Sequence, residues 1–193
     1  MPTTHQAKMP LATGNVSQIH LSTEPSPDSP KSACGFIVTF EEFRAAVLRS
    51  GMIGQLDRLL SSLGHVSGPD LARRATEAQA IAYGAMADRL FRDSVIASYR
   101  KLSLSQEDRA SVVVRGFAHV CDDPDDQAIQ LGDYAHVRGE IPALEAVKQC
   151  FAASLAPSTV VRCVESGVHP LEVKPFVTIR TNKPGAYPNA VLS

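Results

Sequence analysis

Apolar residues with helical spacing dominate the sequence from residue 40 to residue 103, and this pattern limits the fold more than any other feature. Phe40, Phe43 and Val47 fall on one side of a helix. A capping-box pattern at residues 39–42 predicts where that helix begins. Gly51 separates it from a second apolar stripe. These patterns predict a helix-rich first half of the chain.

Longer helical patterns follow. The longest covers residues 65–91, where Ser67 can cap the helix and Pro69 suits its first turn. Another helix is expected over residues 93–103. The stretch 141–155 has a clean helical period, which predicts that one face of a helix there is buried. The expected buried positions are Leu144, Val147, Phe151 and Leu155.

Short runs of β-branched and apolar residues predict strands between and after these helices. The predicted strands cover residues 36–38, 111–114, 160–165 and 172–180. The expected fold class is therefore α+β, with a helix-rich first half followed by a small mixed sheet with helices. Residues 1–33 contain five of the 13 prolines and no apolar period. We therefore expect a flexible segment there and one folded unit over residues 34–193.

Bulk composition excludes several classes of protein. A formal net charge of −1 gives no overall field that would attract nucleic acid or an anionic membrane. No apolar run approaches the roughly 20 residues of a membrane helix, and no secretory signal begins the chain. We therefore expect a cytoplasmic protein whose cysteines are free thiols, without a disulfide framework or a zinc site. The cysteines are Cys34, Cys121, Cys150 and Cys163.

Arg115 is the first candidate for chemistry. It follows the predicted strand 111–114, and four aspartates lie within residues 122–126. At the end of a strand an arginine can reach a ligand, because open α/β sheets place their ligand sites at that edge. It can also be an ordinary surface arginine beside an acidic loop. His119, Cys121 and the aspartates could bind a divalent metal, but a solvated acidic turn is the favoured interpretation, and we predict no metal site.

Four collinear stretches resemble one enzyme family. "CGFIVTFEEFRAAVL" is similar to the "PPGFVVT" opening of the ATP-binding domain in phosphoenolpyruvate synthase (pyruvate, water dikinase) and pyruvate, phosphate dikinase. "IASYRKLS" followed by "VVVR" resembles the approach to the family's "VRSSA" motif. "VRGEIPALEAVKQCFAASLAPSTVVRC" resembles "NVRG…LLEAVRRCWASLFTDRAVAYR", and "VTIRTNKPGAYPNAVLS" resembles "VQKMV…GASGVMFT".

The resemblance covers residues 34–193 and implies the N-terminal lobe of an ATP-grasp domain, with ATP and Mg²⁺ as cofactors. By the same resemblance, Arg115 contacts the ATP phosphates and Asp122 supports it. Gly116 and Phe117 stand where the family has two serines, and the lysine of the family's "GGKNASLG" motif is absent. The second ATP lobe, the phosphohistidine domain and the pyruvate-binding domain have no counterpart in this sequence.

These losses limit the expected activity. A charge-assisted hydrogen bond contributes about 1.5–3 kcal/mol, whereas millimolar affinity needs about 4 kcal/mol beyond the entropy of association. We therefore expect weak or no ATP binding by this chain alone and no catalytic residue within it. A partner chain carrying the remaining dikinase domains would restore the enzyme, so the sequence leaves enzymatic activity open. The alternative is a non-catalytic lobe that acts as a protein-interaction module or survives as a remnant without function.

Overall fold

The computed structural model describes residues 35–61, 63–104, 111–119 and 128–181. The strands described there form one antiparallel sheet in the order β1-β4-β2-β3. They are β1 (Gly35–Val38), β2 (Val112–His119), β3 (Ile129–Val137) and β4 (Lys174–Thr181). The α-helices described are α1 (Phe40–Arg49), α2 (Ile53–Leu60), α3 (Gly68–Ala85), α4 (Arg89–Leu104), α5 (Glu140–Ala153) and α6 (Pro157–Glu165). The α+β class is confirmed.

Helix starts follow the local capping signals. The Thr39 backbone N–H donates a 2.9 Å hydrogen bond to Glu42 Oε2, as the capping box predicts. Ser67 Oγ accepts from the Asp70 N–H at 3.4 Å and begins α3. The predicted helix over 65–91 is wrong at its end, because α3 stops at Ala85. A new helix then begins at Arg89.

The core lies between the helices and one face of the sheet, with α5 at its centre. Phe151 of α5 is fully buried and stacks on Phe43 of α1, with ring centroids 5.0 Å apart. It also meets the edge of Phe91 of α4 at 6.1 Å. The four positions predicted to be buried are all buried, although Leu155 follows the end of α5 at Ala153. The Tyr83 hydroxyl of α3 also donates a half-buried hydrogen bond to the Glu145 carboxylate of α5.

Two glycines let α5 approach the sheet closely. A Cβ on Gly116 of β2 would lie 2.6 Å from Cys150 Cβ and 2.9 Å from its Sγ. A Cβ on Gly132 of β3 would lie 3.1 Å from the same Sγ. Real Cβ atoms do not approach other atoms as closely as the one on Gly116 would, so β2 can pack under the Cys150 side of α5 only with glycine there. The contact at Gly132 is tight but would need a shift of only a few tenths of an ångström.

One predicted strand is a helix, and one strand of the sheet was not predicted. Residues 160–165, predicted as a strand, lie in α6, where Pro157 occupies the first turn and Val160 and Cys163 are buried at helical spacing. The strand β3 was not predicted. Its alternation of apolar and polar residues is interrupted by register shifts opposite Val112–Val114 and Gly116–Phe117 of β2.

The three other predicted strands are present in the sheet. The predicted strands at 36–38 and 172–180 correspond to β1 and β4, and the strand at 111–114 extends to His119 as β2. The segment 1–33, the acidic loop at 122–126 and the end of the chain from residue 182 lie outside the described residues. No helix within the described ranges is long and apolar enough to cross a membrane.

Candidate ligand-binding face

The sheet turns one face to α5 and the other to water. Along β2 and β4, every second residue points away from α5 and keeps part of its surface exposed. We call this surface of the two central strands the open face. Its residues are Val113, Arg115, Phe117, His119, Lys174, Phe176, Thr178 and Arg180.

Arg115 lies at the middle of β2, within the open face. The expectation that it stands at the end of a strand is wrong, because β2 continues for four residues beyond it. In an antiparallel sheet the carboxyl ends of the strands do not share one edge, so the rule for open α/β sheets does not apply. The Arg115 side chain is 45% exposed, which leaves its guanidinium accessible to a ligand.

Two neighbouring strands supply partners for Arg115. Asp133 of β3 lies directly opposite, and its Oδ2 is 3.2 Å from Arg115 Nε. Thr178 of β4 lies opposite on the other side, and its hydroxyl donates a 3.4 Å hydrogen bond to the Arg115 carbonyl. Asp133 was not singled out in the sequence, since only the register between β2 and β3 makes it a partner. Asp122, the supporting residue implied by the resemblance, lies outside the described residues.

Strand alternation separates the two positions at which this chain departs from the "VRSSA" motif. Gly116 points toward α5, where a side chain would collide with Cys150. Phe117 points the same way as Arg115, onto the open face. The residue at position 116 therefore concerns packing, and the residue at position 117 belongs to the surface that a ligand would meet.

Further positive charge flanks Arg115. Arg180 of β4 lies opposite Val113 and diagonal to Arg115, which puts their Cβ atoms about 7–8 Å apart. The stem of Arg180 passes over Gly35, whose missing Cβ would lie 3.0 Å from Arg180 Cγ. Lys174 lies opposite His119 at the other end of β2. Among the described residues, this surface thus carries three cationic side chains and, beside Arg115, one carboxylate.

A separate cavity between α1, α2 and the segment before β4 has a volume of about 50 Å³. It is lined mainly by apolar side chains, with Arg44 and Ser154 as its polar members. Pockets that enclose small-molecule ligands measure about 300–1,000 Å³, so this cavity cannot hold a nucleotide. Among the described residues, no three His, Cys, Asp or Glu side chains cluster as a metal site would require.

The two described cysteines are buried free thiols. Burial raises the pKa of Cys150 to about 12, and the negative charge of Asp133 adds to the effect. Burial also raises the pKa of Cys163 to about 11. Since the thiolate is the reactive form, both thiols are chemically inert at neutral pH and serve packing.

The fold and the open face define an α+β protein with an exposed, positively charged and partly aromatic sheet surface. No protein-family model matches the sequence, and no curated protein matches it.

Proposed function

We propose that the open face binds the phosphate groups of ATP. In this proposal the chain is the ATP-binding fragment of a phosphotransferase similar to phosphoenolpyruvate synthase. One observation carries it: Arg115 projects from the centre of a sheet face whose described residues on β2 and β4 are all partly exposed, with Arg180 diagonal to it and a hydroxyl, Thr178, opposite. Guanidinium groups are well suited to phosphate, because their planar N–H donors form two parallel hydrogen bonds to its oxygens.

The ion pair with Asp133 does not prevent this role. Both of its side chains are more than a third exposed, at 45% and 39%. Exposed pairs contribute only about 0.2–1 kcal/mol, so a phosphate that reaches Arg115 has little to displace.

Asp133 also makes the face suitable for magnesium-bound ATP. Free triphosphate would be repelled by this carboxylate. Mg²⁺ reverses the sign of that interaction, because it binds carboxylate and phosphate oxygens together. Protein sites for Mg²⁺ commonly offer only one or two carboxylates, with the substrate phosphates completing the ligand set, and Asp133 supplies one.

Catalysis in this proposal depends on a partner chain that carries the phosphohistidine and pyruvate-binding domains. The cytoplasm is the proposed compartment, because the free thiols of Cys150 and Cys163 suit a reducing environment.

Calorimetric titration with ATP and Mg²⁺ tests the proposal. We expect weak, saturable binding by the wild type and at least tenfold weaker binding by Arg115→Ala. Arg89→Ala is the matched control, because Arg89 is also an exposed arginine paired with an aspartate, but it lies on α4. Equal affinity of the wild type and Arg115→Ala, or no heat at millimolar ATP, would reject the proposal.

The second candidate is an interaction module, and the apolar part of the sheet surface favours it. Ile37 of β1 is 46% exposed, and Val113, Phe117 and Phe176 keep part of their surface in water. Exposed apolar patches mark protein contacts as well as ligand sites. Sedimentation measurements test this candidate: concentration-dependent self-association that Phe176→Ser abolishes would support it, and a monomer that binds no apolar dye would exclude it.

A further inference from the structure

Among the strands that the structure describes, β3 forms one edge of the sheet. The backbone N–H and C=O groups on its outer side therefore face no described strand. Natural proteins often place lysine or proline on such an edge, because these residues discourage pairing with another chain. Residues 129–137 contain neither, and their only Asp, Glu, Lys or Arg is Asp133, which is paired with Arg115. The edge thus lacks the side chains that would block an added strand.

The side of β3 that faces α5 is incompletely covered. Tyr134 lies opposite Val114 and Val137 lies opposite Val112, so both point toward α5. Val112 and Val114 are fully buried, whereas Tyr134 and Val137 are only half-buried. A further strand beside β3 would cover their apolar surface, provided that its own residues on this side are apolar.

An irregularity in β3 determines which side chains share a side of the sheet. Between Tyr134 and Val137, β3 has one residue more than the opposite part of β2, and His136 adopts a positive φ of 57° there. Tyr134 and Val137 consequently point the same way although they are three positions apart. Asp133 and Arg138, which flank them, fall on the side of the open face by alternation.

We propose that β3 pairs antiparallel with β3 of a second copy of this chain, about a two-fold axis near residues 135 and 136. In this register, Asp133 lies opposite Arg138 of the second copy, and Tyr134 lies opposite Val137. The symmetry repeats each contact, so the interface contains two ion pairs and two apolar pairs. The strand that β3 needs beside it is therefore another β3.

Charge complementarity favours this occupant. Arg138 is exposed, and among the described residues it forms no ion pair. Asp133 uses its Oδ2 for Arg115, and a carboxylate has a second oxygen that can accept from another guanidinium. A two-fold axis perpendicular to the sheet also keeps both α5 helices on one side and both open faces on the other. The cations of the two open faces therefore do not oppose each other.

Sedimentation equilibrium of the full chain over a range of concentrations tests the pairing. We expect a reversible equilibrium between monomer and dimer in the wild type. Asp133→Arg and Arg138→Asp each place like charges opposite each other twice, so each should weaken dimerisation by at least tenfold. The double variant with both substitutions restores opposite charges and should dimerise like the wild type. An equimolar mixture of the two single variants should form a heterodimer for the same reason.

Two controls accompany the charge variants. Arg89→Asp is the matched control for Arg138→Asp, because it makes the same change at an exposed arginine on α4 and should leave the dimer intact. Thermal melts of every variant show whether it is folded. The inference does not rest on the proposed ATP binding, so a chain that binds no ATP can still pair through β3, and a monomer can still bind ATP.

Three results would overturn the inference. The first is a wild type that stays monomeric at every concentration. The second is a dimer that both single charge variants leave intact, or that the folded double variant fails to restore. The third is a dimer that Phe176→Ser abolishes while the charge variants do not, which would assign self-association to the open face, as in the second candidate function.

Discussion

Arg115 of β2 and Asp133 of β3 lie directly opposite each other on the water-facing side of the sheet, 3.2 Å apart between Nε and Oδ2. The pair places a cation and an anion at the centre of the proposed site. In the proposed site, a phosphate and the Asp133 carboxylate compete for the Arg115 guanidinium. The net charge around Arg115 therefore depends on whether a phosphate is bound.

Removal of the Asp133 charge should therefore strengthen phosphate binding when magnesium is absent. At about 8 Å and an effective dielectric constant of 20, the carboxylate repels each phosphate charge by roughly 2 kcal/mol before salt screening. We expect Asp133→Asn to bind tripolyphosphate about three- to tenfold more tightly than the wild type in chelator-treated buffer at low salt. Titration calorimetry measures the affinity, and added Mg²⁺ should reduce the difference. An unchanged affinity would show that phosphate does not lie near Asp133.

Gly116→Ala should destabilise the protein by about 1–3 kcal/mol, because the added methyl group would collide with Cys150 and force α5 away from the sheet. Urea denaturation followed by circular dichroism measures the change in the free energy of unfolding. Gly84→Ala is the matched control, since Gly84 lies in α3 with no atom within 4 Å of its missing Cβ. That control should raise the stability by up to about 1 kcal/mol through helix propensity. Equal stability of the two variants would contradict the close approach of α5.

Asp88 connects two helices, and the stability that the protein loses when Asp88 is replaced should depend on pH. Its Oδ2 accepts a 2.7 Å hydrogen bond from Arg49 Nη2, near the end of α1, and a 3.0 Å bond from the Phe91 N–H in the first turn of α4. The Arg49 hydrogen bond holds the pKa of the Asp88 carboxyl below its ordinary value, and the Phe91 N–H contributes. At pH 7 we expect Asp88→Ala to lower the free energy of unfolding by about 1–2 kcal/mol. Asp88→Asn should lower it less, because asparagine still caps the helix.

The pH dependence has a definite sign. Because the pKa of Asp88 is lower in the folded protein than in the unfolded chain, its stabilisation is complete above the unfolded value of about 3.9 and is lost as pH falls through the folded value. The stability difference between the wild type and Asp88→Asn should therefore shrink below about pH 4. Denaturation midpoints measured from neutral to acidic pH test this, and a difference that grows on acidification would refute it.

Much of the helical structure could be predicted from the sequence because its signals are local. The Thr39–Glu42 capping box, the Ser67 cap and the buried stripe of α5 each involve residues within a few turns of one helix. Where two local signals conflicted, the prediction failed. The β-branched run at 160–165 favoured a strand, but a proline at the first turn and burial at helical spacing belong to α6.

The arrangement of the proposed site is decided by contacts between distant parts of the chain. Arg115 was identified as a candidate from its sequence context, but its position in mid-strand and its partner Asp133 follow from a hairpin register that contains two irregularities. Phe117 and Phe176 meet only because β4, about 60 residues later, pairs with β2. The sequence by itself determined most of the described helices, the α+β class and one candidate arginine, since spacing and capping act within single elements. Only the tertiary structure decided which face of the sheet stays open and which side chains share it, because register is set by packing across the whole sheet.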